Sequence, residues 1–293
     1  MADAGHFEPK FKPYYRSLQK AAGDQRTPER IVAHYQLERR LADRLRQSTR
    51  EERAALYPRL YGELFDALPD HPQRTRNPAA VASRRQKKLP LLLPYVHGRS
   101  VYLEIGCGDA TMAFAMAAKV ARAYGLDVTD ALVDHSAAPR NFAFLRSSGV
   151  DVPLLADSVD FAYSNQLMEH LHGDDVEDQL REIFRVLKPG GRYYCTTPNR
   201  VTGPHDVSRY FDDTATGFHL REYDYRMIRE TFGRAGFSQV RFPVTVRNRS
   251  LGTPPYPILR GIEIGLLGLP PSVRRHVVPF AQFLMGINAV ATK

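Results

Sequence analysis

The chain has 293 residues, of which 43% are hydrophobic and 25% charged, and this composition excludes a protein that is disordered throughout. Its 41 Lys and Arg outnumber its 32 Asp and Glu, which gives a formal net charge of +9 at pH 7. No apolar run is long enough to cross a bilayer, no signal-peptide pattern opens the sequence, and the two cysteines, Cys107 and Cys195, are far apart. We therefore expect a soluble cytoplasmic protein without a transmembrane segment.

The positive charge is concentrated at the start of the chain. Residues 1–100 hold 20 Lys and Arg against 11 Asp and Glu, whereas residues 101–293 hold 21 of each. The cluster contains Arg39, Arg40, Arg44, Arg46, Arg50, Arg53, Arg84, Arg85, Lys87 and Lys88. Such a surface attracts an anionic acceptor, an acidic carrier protein or nucleic acid, and the alternative is a solvated helix face. Nucleic acid is the less favoured partner, because no aromatic-interleaved nucleic-acid motif accompanies the charge.

Two helices are predicted in this basic region. Thr27 is followed by proline and glutamate, a pattern typical of a helix N-cap and first turn. Apolar residues between Ile31 and Leu45 then recur near helical spacing. The segment Ser48–Glu52 offers two alternative capping boxes for a second helix.

A buried strand that breaks into a glycine loop is predicted next. The apolar run Val101–Ile105 is followed by Gly106 and Gly108, which tolerate positive φ and let a ligand contact bare backbone. A stretch rich in Ala and Met then begins a helix at Thr111. A strand, a glycine loop and a helix N-terminus form a cradle for a ligand. Glu104, just before the loop, favours a cationic or hydroxyl-bearing ligand over a pyrophosphate.

Three later stretches continue the alternation of strand and helix. Ala123–Val128 is an apolar run with an acid, Asp127, at its end. Val159–Leu171 contains another apolar run and a polar turn, and Val186–Arg192 contains a Lys-Pro-Gly-Gly turn. Together with the glycine loop, and in this order, they make the chain similar to class I S-adenosylmethionine-dependent methyltransferases. The similarity is greatest to the small-molecule branch that includes ubiquinone-biosynthesis-like enzymes.

The resemblance covers residues 101–242 and a last strand at 287–293. It implies an α/β fold with a doubly wound, mostly parallel seven-stranded sheet of the Rossmann-like methyltransferase type. The alternation of strand and helix up to Thr197 independently predicts a parallel sheet with right-handed crossovers. We expect an N-terminal helical cap in residues 1–88 and a methyltransferase domain in residues 89–293, with insertions after strand 5 and between strands 6 and 7.

The resemblance also implies that S-adenosyl-L-methionine is the cofactor. The residues that it assigns to the cofactor are Glu104, Gly106, Gly108, Asp109, Asp127, Val128, Ser164 and Asn165. Asp127 is expected to accept hydrogen bonds from both ribose hydroxyls, for which the two oxygens of a carboxylate are suited. Ser164 and Asn165, at the end of the fourth strand, are expected to hold the methionine part.

The segment 198–223 is longer than a typical loop and dense in His, Arg, Tyr and Asp, which is typical of a functional loop. We predict that it recognises the acceptor, with Arg209, Tyr210 and Glu222 as substrate-binding residues. The alternative is that His219 and Glu222 form a structural elbow. No metal site is expected, because this His-x-x-Glu pair alone provides too few ligands.

Three histidines are candidates for a general base, which a hydroxyl or protonated amine acceptor would require. His170 follows the fourth strand, and His205 and His219 lie in the acceptor loop. His170 has the alternative role of a packed structural residue.

A second insertion, residues 251–283, is rich in Ile and Leu and is broken by prolines and glycines. An apolar lid over the acceptor is favoured over a membrane-surface segment, because only three basic residues lie in it.

The resemblance thus implies methyl transfer to a small-molecule acceptor, anionic or carrier-bound, in secondary metabolism, with O-methylation favoured over N- or C-methylation. One alternative is a nucleic-acid methyltransferase, although Ser164–Leu167 lacks the Asn/Asp-Pro-Pro-aromatic turn of amino-methylating base enzymes. Another is a partner subunit that binds the cofactor without catalysis. A homodimer is left open.

Overall fold

A seven-stranded sheet organises the computed structural model, which describes residues 9–70, 87–246, 249–270, 273–274, 277 and 286–293. Its strands are β1 (Val101–Ile105), β2 (Arg122–Asp127), β3 (Phe142–Arg146), β4 (Val159–Asn165), β5 (Leu187–Pro198), β6 (Gln239–Arg241) and β9 (Gly286–Thr292). Strands β7 (Val244–Val246) and β8 (Arg249–Gly252) form a separate hairpin.

The order across the sheet is β3-β2-β1-β4-β5-β9-β6. The neighbours from β3 to β5 are parallel, and β9 is antiparallel to both β5 and β6. The predicted doubly wound, mostly parallel seven-stranded fold is therefore confirmed. The residues described between β6 and β9 include this hairpin and the helix Tyr256–Leu267.

The helices are α1 (Tyr15–Ala22), α2 (Pro28–Gln47), α3 (Arg50–Ala67), α4 (Leu89–Leu92), α5 (Thr111–Ala117), α6 (Gly173–Val186), α7 (Tyr225–Arg234) and α8 (Tyr256–Leu267). Thr27 caps α2 as predicted, since its side chain accepts a hydrogen bond from the Arg30 amide. Of the two alternative capping boxes, the one that forms joins Thr49 and Glu52 at the start of α3. No helix in the described segments has the length and hydrophobicity needed to cross a membrane.

Two apolar clusters lie on opposite faces of the sheet, because alternate side chains of a strand point to opposite faces. On β5, Tyr193 and Cys195 belong to one cluster and Tyr194 to the other. The first cluster also contains Leu41 of α2 and Leu60 of α3, both fully buried. The N-terminal helices thus share their core with the sheet.

A buried ion pair fixes α3 to α6. Arg53 donates a hydrogen bond to each oxygen of Asp175, from Nε to Oδ2 at 2.6 Å and from Nη2 to Oδ1 at 2.8 Å. The Tyr57 hydroxyl donates to the same carboxylate at 2.6 Å. The side chains of Arg53 and Asp175 are only 3% and 1% exposed. Arg53 therefore belongs to the interior and not to the basic surface.

Some predictions fall on residues whose structure is not described. In the N-terminal cap these are residues 1–8 and 71–86, which include Arg84 and Arg85 of the basic cluster. In the predicted lid they are residues 271–272, 275–276 and 278–283.

We expect Cys195 to be unreactive in the folded protein. Burial raises the pKa of its thiol to about 12, so that at pH 9 only about one molecule in a thousand carries the reactive thiolate. Titration of a Cys107→Ser variant with a thiol reagent at pH 9 should show slow modification in buffer and rapid modification in denaturant. Fast labelling of the native variant would contradict the burial of this side chain.

Candidate active site

The glycine loop after β1 approaches the chain segment after β4. Gly106 and Gly108 have φ values of +67° and +56°, a region that favours glycine. The amides of Gly106 and Cys107 donate to the Leu126 carbonyl at 2.8 and 3.1 Å. A Cβ atom added to Gly106 would lie 3.0 Å from the Leu167 side chain. The loop thus leaves room for little more than bare backbone at this point.

Asp127, at the carboxyl end of β2, is held against the same loop. Its Oδ2 atom accepts a hydrogen bond from the Gly108 amide at 2.8 Å, and Oδ1 accepts one from the Val128 amide at 2.7 Å. These two donors fix the orientation of the carboxylate at the edge of the sheet.

A small cavity of about 40 Å³ opens beside the glycine loop. Its lining residues are Lys88, Glu104, Gly106, Cys107, Met112, Tyr163 and Asn165. Two other predicted cofactor residues form hydrogen bonds outside this cavity. Asp109 accepts a hydrogen bond from the Thr111 amide at 3.0 Å. The Ser164 hydroxyl forms a hydrogen bond with the Tyr193 hydroxyl, on the opposite face of the sheet, at 2.6 Å. Asn165 thus lines the small cavity, whereas the Ser164 side chain lies on the other face of the sheet. The contact of Asn165 with the cofactor stays a prediction.

A larger cavity of about 200 Å³ adjoins the first, because Lys88 and Tyr163 line both. Its other lining residues are Leu91, Leu92, Gln166, Tyr194, Thr196, Thr245, Gly286, Ile287 and Asn288. The hydroxyl of Tyr194 is buried and has no hydrogen-bond partner among the described residues.

Sequence reasoning missed most of this lining. Tyr163 and Tyr194 could have been found from their alternation on adjacent strands, which places them on one face of the sheet. No motif around Lys88 indicates a role in the site, and the sequence analysis named it only as a member of the basic cluster. In the structure its Nζ atom donates to Asn165 Oδ1 at 2.5 Å.

The three substrate-binding candidates of the long loop hold that loop in place. The Arg209 Nε atom donates to the carbonyl of Asp206 at 2.9 Å. The Tyr210 hydroxyl donates to Asp24, near the N-terminus, at 2.9 Å. Glu222 accepts the His205 amide at 2.7 Å. None of the three lines either cavity, so their contact with an acceptor stays a prediction.

His205 is turned into its own loop. Its Nε2 atom lies 3.1 Å from the Asn199 carbonyl and 3.0 Å from the Thr202 hydroxyl. Burial lowers the pKa of the imidazole, which keeps the ring neutral near pH 7. Its role as a base stays a prediction.

His170 and His219 lie beside each other, with ring centroids 4.9 Å apart. Burial and the neighbouring His219 lower the pKa of His170 to about 3, so that this ring stays neutral. Burial opposes the charged form of His219, but the hydrogen bond to Glu222 and the nearby carboxylate of Asp206 outweigh it and raise the pKa to about 9. A protonated imidazole cannot accept a proton, so the predicted base role of His219 needs a ligand that displaces this proton.

Glu169 completes this group. Its side chain is fully buried, and burial raises the pKa of the carboxyl to about 7. Its Oε2 atom accepts a hydrogen bond from the Thr197 hydroxyl at 3.0 Å. Sequence reasoning passed over this residue, although it directly precedes His170.

Comparison with known proteins agrees with this geometry. Residues 103–195 match a family model described as a methyltransferase domain. A relative from Mycolicibacterium smegmatis, with the curated name probable S-adenosylmethionine-dependent methyltransferase, is 37% identical over 141 residues, or 48% of this chain and 52% of the relative. A relative from Mycobacterium tuberculosis with the same kind of name is 31% identical over 159 residues, or 54% and 55%. The chain therefore spans about half the length of these curated relatives.

One solved structure supports the fold alone. It is a chain from the complex that contains the Haloferax volcanii Trm112 methyltransferase activator, with a TM-score of 0.53 and 18% identity over 78% of this chain and 96% of that chain. The segment that matches the family model runs from β1 to β5, so the parallel part of the sheet is similar to a methyltransferase domain.

Proposed function

We propose that this chain transfers a methyl group from S-adenosylmethionine to a small-molecule acceptor. The observation that carries the proposal is the pair of adjoining cavities, one beside the glycine loop and one beyond it, that meet at Lys88 and Tyr163. Both lie where parallel α/β sheets place their ligands, at the carboxyl ends of the strands.

The residues present fit the cofactor. Gly106 leaves a backbone surface that a side chain would fill, and the carboxylate of Asp127 is fixed at the carboxyl end of β2. In the proposal, Asp127 accepts the ribose hydroxyls, and Glu104 and Asn165 hold the methionine part in the small cavity. The cofactor supplies a methyl group that is already activated by its sulfonium. The chain's own residues therefore act mainly by positioning the acceptor and by excluding water.

The larger cavity suits an acceptor with hydroxyl groups. The Tyr194 hydroxyl and the side chains of Gln166, Thr196 and Asn288 offer hydrogen bonds, and the ammonium of Lys88 stands at the boundary between the cavities. An ammonium at this place favours an anionic or easily ionised acceptor, which supports O-methylation. The assignment to the ubiquinone-biosynthesis-like branch, the cytoplasmic location and the lid role of residues 251–283 remain parts of the proposal.

We expect Asp127→Asn to weaken binding of S-adenosylmethionine roughly 10- to 100-fold, because a charged hydrogen bond contributes about 1.5–3 kcal/mol. Titration calorimetry on the purified chain measures this change. The matched control is Asp130→Asn, which alters an exposed carboxylate three residues away that pairs with Arg146. Equal affinities for the two variants would remove Asp127 from the cofactor site.

Methyl transfer itself is tested with labelled S-adenosylmethionine and a metabolite extract. Label in an organic-soluble or small polar product supports the proposal. Label only in added RNA or DNA would favour a nucleic-acid methyltransferase. Binding without turnover on any acceptor would favour a non-catalytic partner subunit.

A further inference from the structure

Three side chains with metal-binding atoms converge near the end of β4. Glu169 and His170 lie on a short 3-10 turn after this strand, and His219 comes from the long loop that follows β5. One ligand atom from each lies within 4.8 Å of the other two. The loop is tied to the turn by a hydrogen bond from the Arg221 amide to the Glu169 carbonyl at 3.2 Å. The pair His219 and Glu222 alone provides too few ligands for a metal ion, but the fold brings Glu169 and His170 next to His219.

Each of the three side chains is oriented by a hydrogen bond at one of its two polar atoms, which the histidines donate and Glu169 accepts. His170 Nδ1 lies 3.0 Å from the Phe218 carbonyl. Because a carbonyl oxygen can only accept a hydrogen bond, Nδ1 is the donor. His219 Nδ1 donates to Glu222 Oε1 at 2.8 Å. The Thr197 hydroxyl donates to Glu169 Oε2 at 3.0 Å. These bonds leave the Nε2 atom of each imidazole and Oε1 of Glu169 as the atoms available to a metal ion, and outer hydrogen bonds of this kind orient metal ligands.

The second observation is the state of the Glu169 carboxylate. The residue is 0% exposed, and its Oε1 atom has no hydrogen-bond partner among the described residues. Burying a polar oxygen without a partner is costly. A cation between Glu169 and the two histidines would remove this cost.

The surroundings are suited to positive charge. Glu222 bonds His219 directly, and Asp206 accepts the His219 amide at 3.2 Å. Glu38 of α2 accepts the Phe218 amide at 3.0 Å. Two of these carboxylates come from the long loop and one from α2, and each is at least nine-tenths buried.

We propose that Glu169, His170 and His219 bind a divalent transition-metal ion. Two imidazole nitrogens and one carboxylate suit Zn²⁺ and leave a coordination position open. Ligand bonds of about 2.0–2.2 Å place neighbouring ligand atoms about 3–3.5 Å apart, so the three side chains close slightly around the ion. None of the three residues lines either of the cavities described above, so the proposed metal site is separate from the proposed acceptor cavity.

The test uses the full chain, freed of metal with a chelator and dialysed against ZnCl₂. We expect about one Zn²⁺ per chain. Glu169→Gln and His219→Gln should each weaken the binding of Zn²⁺ by more than the 10- to 100-fold that loss of an outer hydrogen bond causes. The matched control is His135→Gln, which changes an exposed histidine far along the chain and should bind like the wild type. No stoichiometric Zn²⁺, or equal affinity in all variants, would overturn the proposal.

A second measurement needs no variant and covers the case in which a substitution prevents folding. Wild-type chain loaded with Co²⁺ should show visible absorption of a low-coordinate site with nitrogen and oxygen ligands. A thiolate charge-transfer band, or a spectrum of the hydrated ion, would contradict the assignment.

The metal proposal and the proposed function can fail separately. Calorimetry of S-adenosylmethionine on the metal-free chain tests the cofactor site without the ion. Binding of Zn²⁺ in a chain that does not bind S-adenosylmethionine would leave the metal site standing and remove the methyl-transfer proposal. Binding of S-adenosylmethionine without binding of Zn²⁺ would do the reverse.

Discussion

Gly106→Val is expected to abolish detectable binding of S-adenosylmethionine. The substitution places a branched side chain at a φ of +67°, where its Cβ would lie 3.0 Å from Leu167, and it fills the surface that the cofactor needs. Calorimetry should show no heat of binding at concentrations that saturate the wild type, while circular dichroism confirms that the variant is folded.

The control for this variant is Gly98→Val, just before β1. A Cβ at Gly98 meets nothing within 4 Å, so this variant should bind the cofactor as the wild type does. A folded Gly106→Val chain with an affinity within a few-fold of the control would show that the cofactor lies elsewhere.

Asp175→Ala is expected to cost the largest share of stability, about 3–5 kcal/mol, because it leaves the buried charge of Arg53 without its partner. The same change removes the acceptor of the Tyr57 hydroxyl. Urea denaturation of the variant and the wild type measures the loss.

Two further variants check the cause of this loss. Glu63→Ala breaks an exposed ion pair with Arg44 between α2 and α3 and should change stability by about 0–1 kcal/mol. Replacing both Arg53 and Asp175 by apolar residues should restore much of the stability lost by Asp175→Ala. A loss in Asp175→Ala no greater than in Glu63→Ala would contradict the role of the buried pair.

Local patterns were sufficient to predict the individual strands and helices around the glycine loop, whereas the seven-stranded sheet was predicted from the resemblance to methyltransferases. The strand β1, its glycines and the acid at the end of β2 are encoded within a few residues, because strand propensity, positive φ and capping depend on near neighbours. The cap at Thr27 was predicted for the same reason, and the cap at Thr49 was one of the two alternatives that the sequence offered. The alternation of strand and helix then restricted the topology to a parallel sheet.

Contacts between distant segments could not be predicted in this way. His170 meets Phe218 across 48 residues, and no periodicity in either segment indicates that contact. The Ser164 side chain was assigned to the cofactor together with its neighbour, yet adjacent strand residues point to opposite faces. Lys88 lines the cavities because of the path that the chain takes before β1, and this path depends on tertiary contacts.

The position of β9 has a consequence for how the protein is made. This strand is formed by residues 286–292, yet it lies inside the sheet, between β5 and β6. Until the ribosome has released those residues, β5 has an unpaired edge and β6 lacks the one strand that pairs with it in the described part of the chain. Exposed edges of this kind recruit other strands. We therefore expect a nascent chain that stalls before residue 286 to aggregate more readily than a chain in which β9 has paired with both strands.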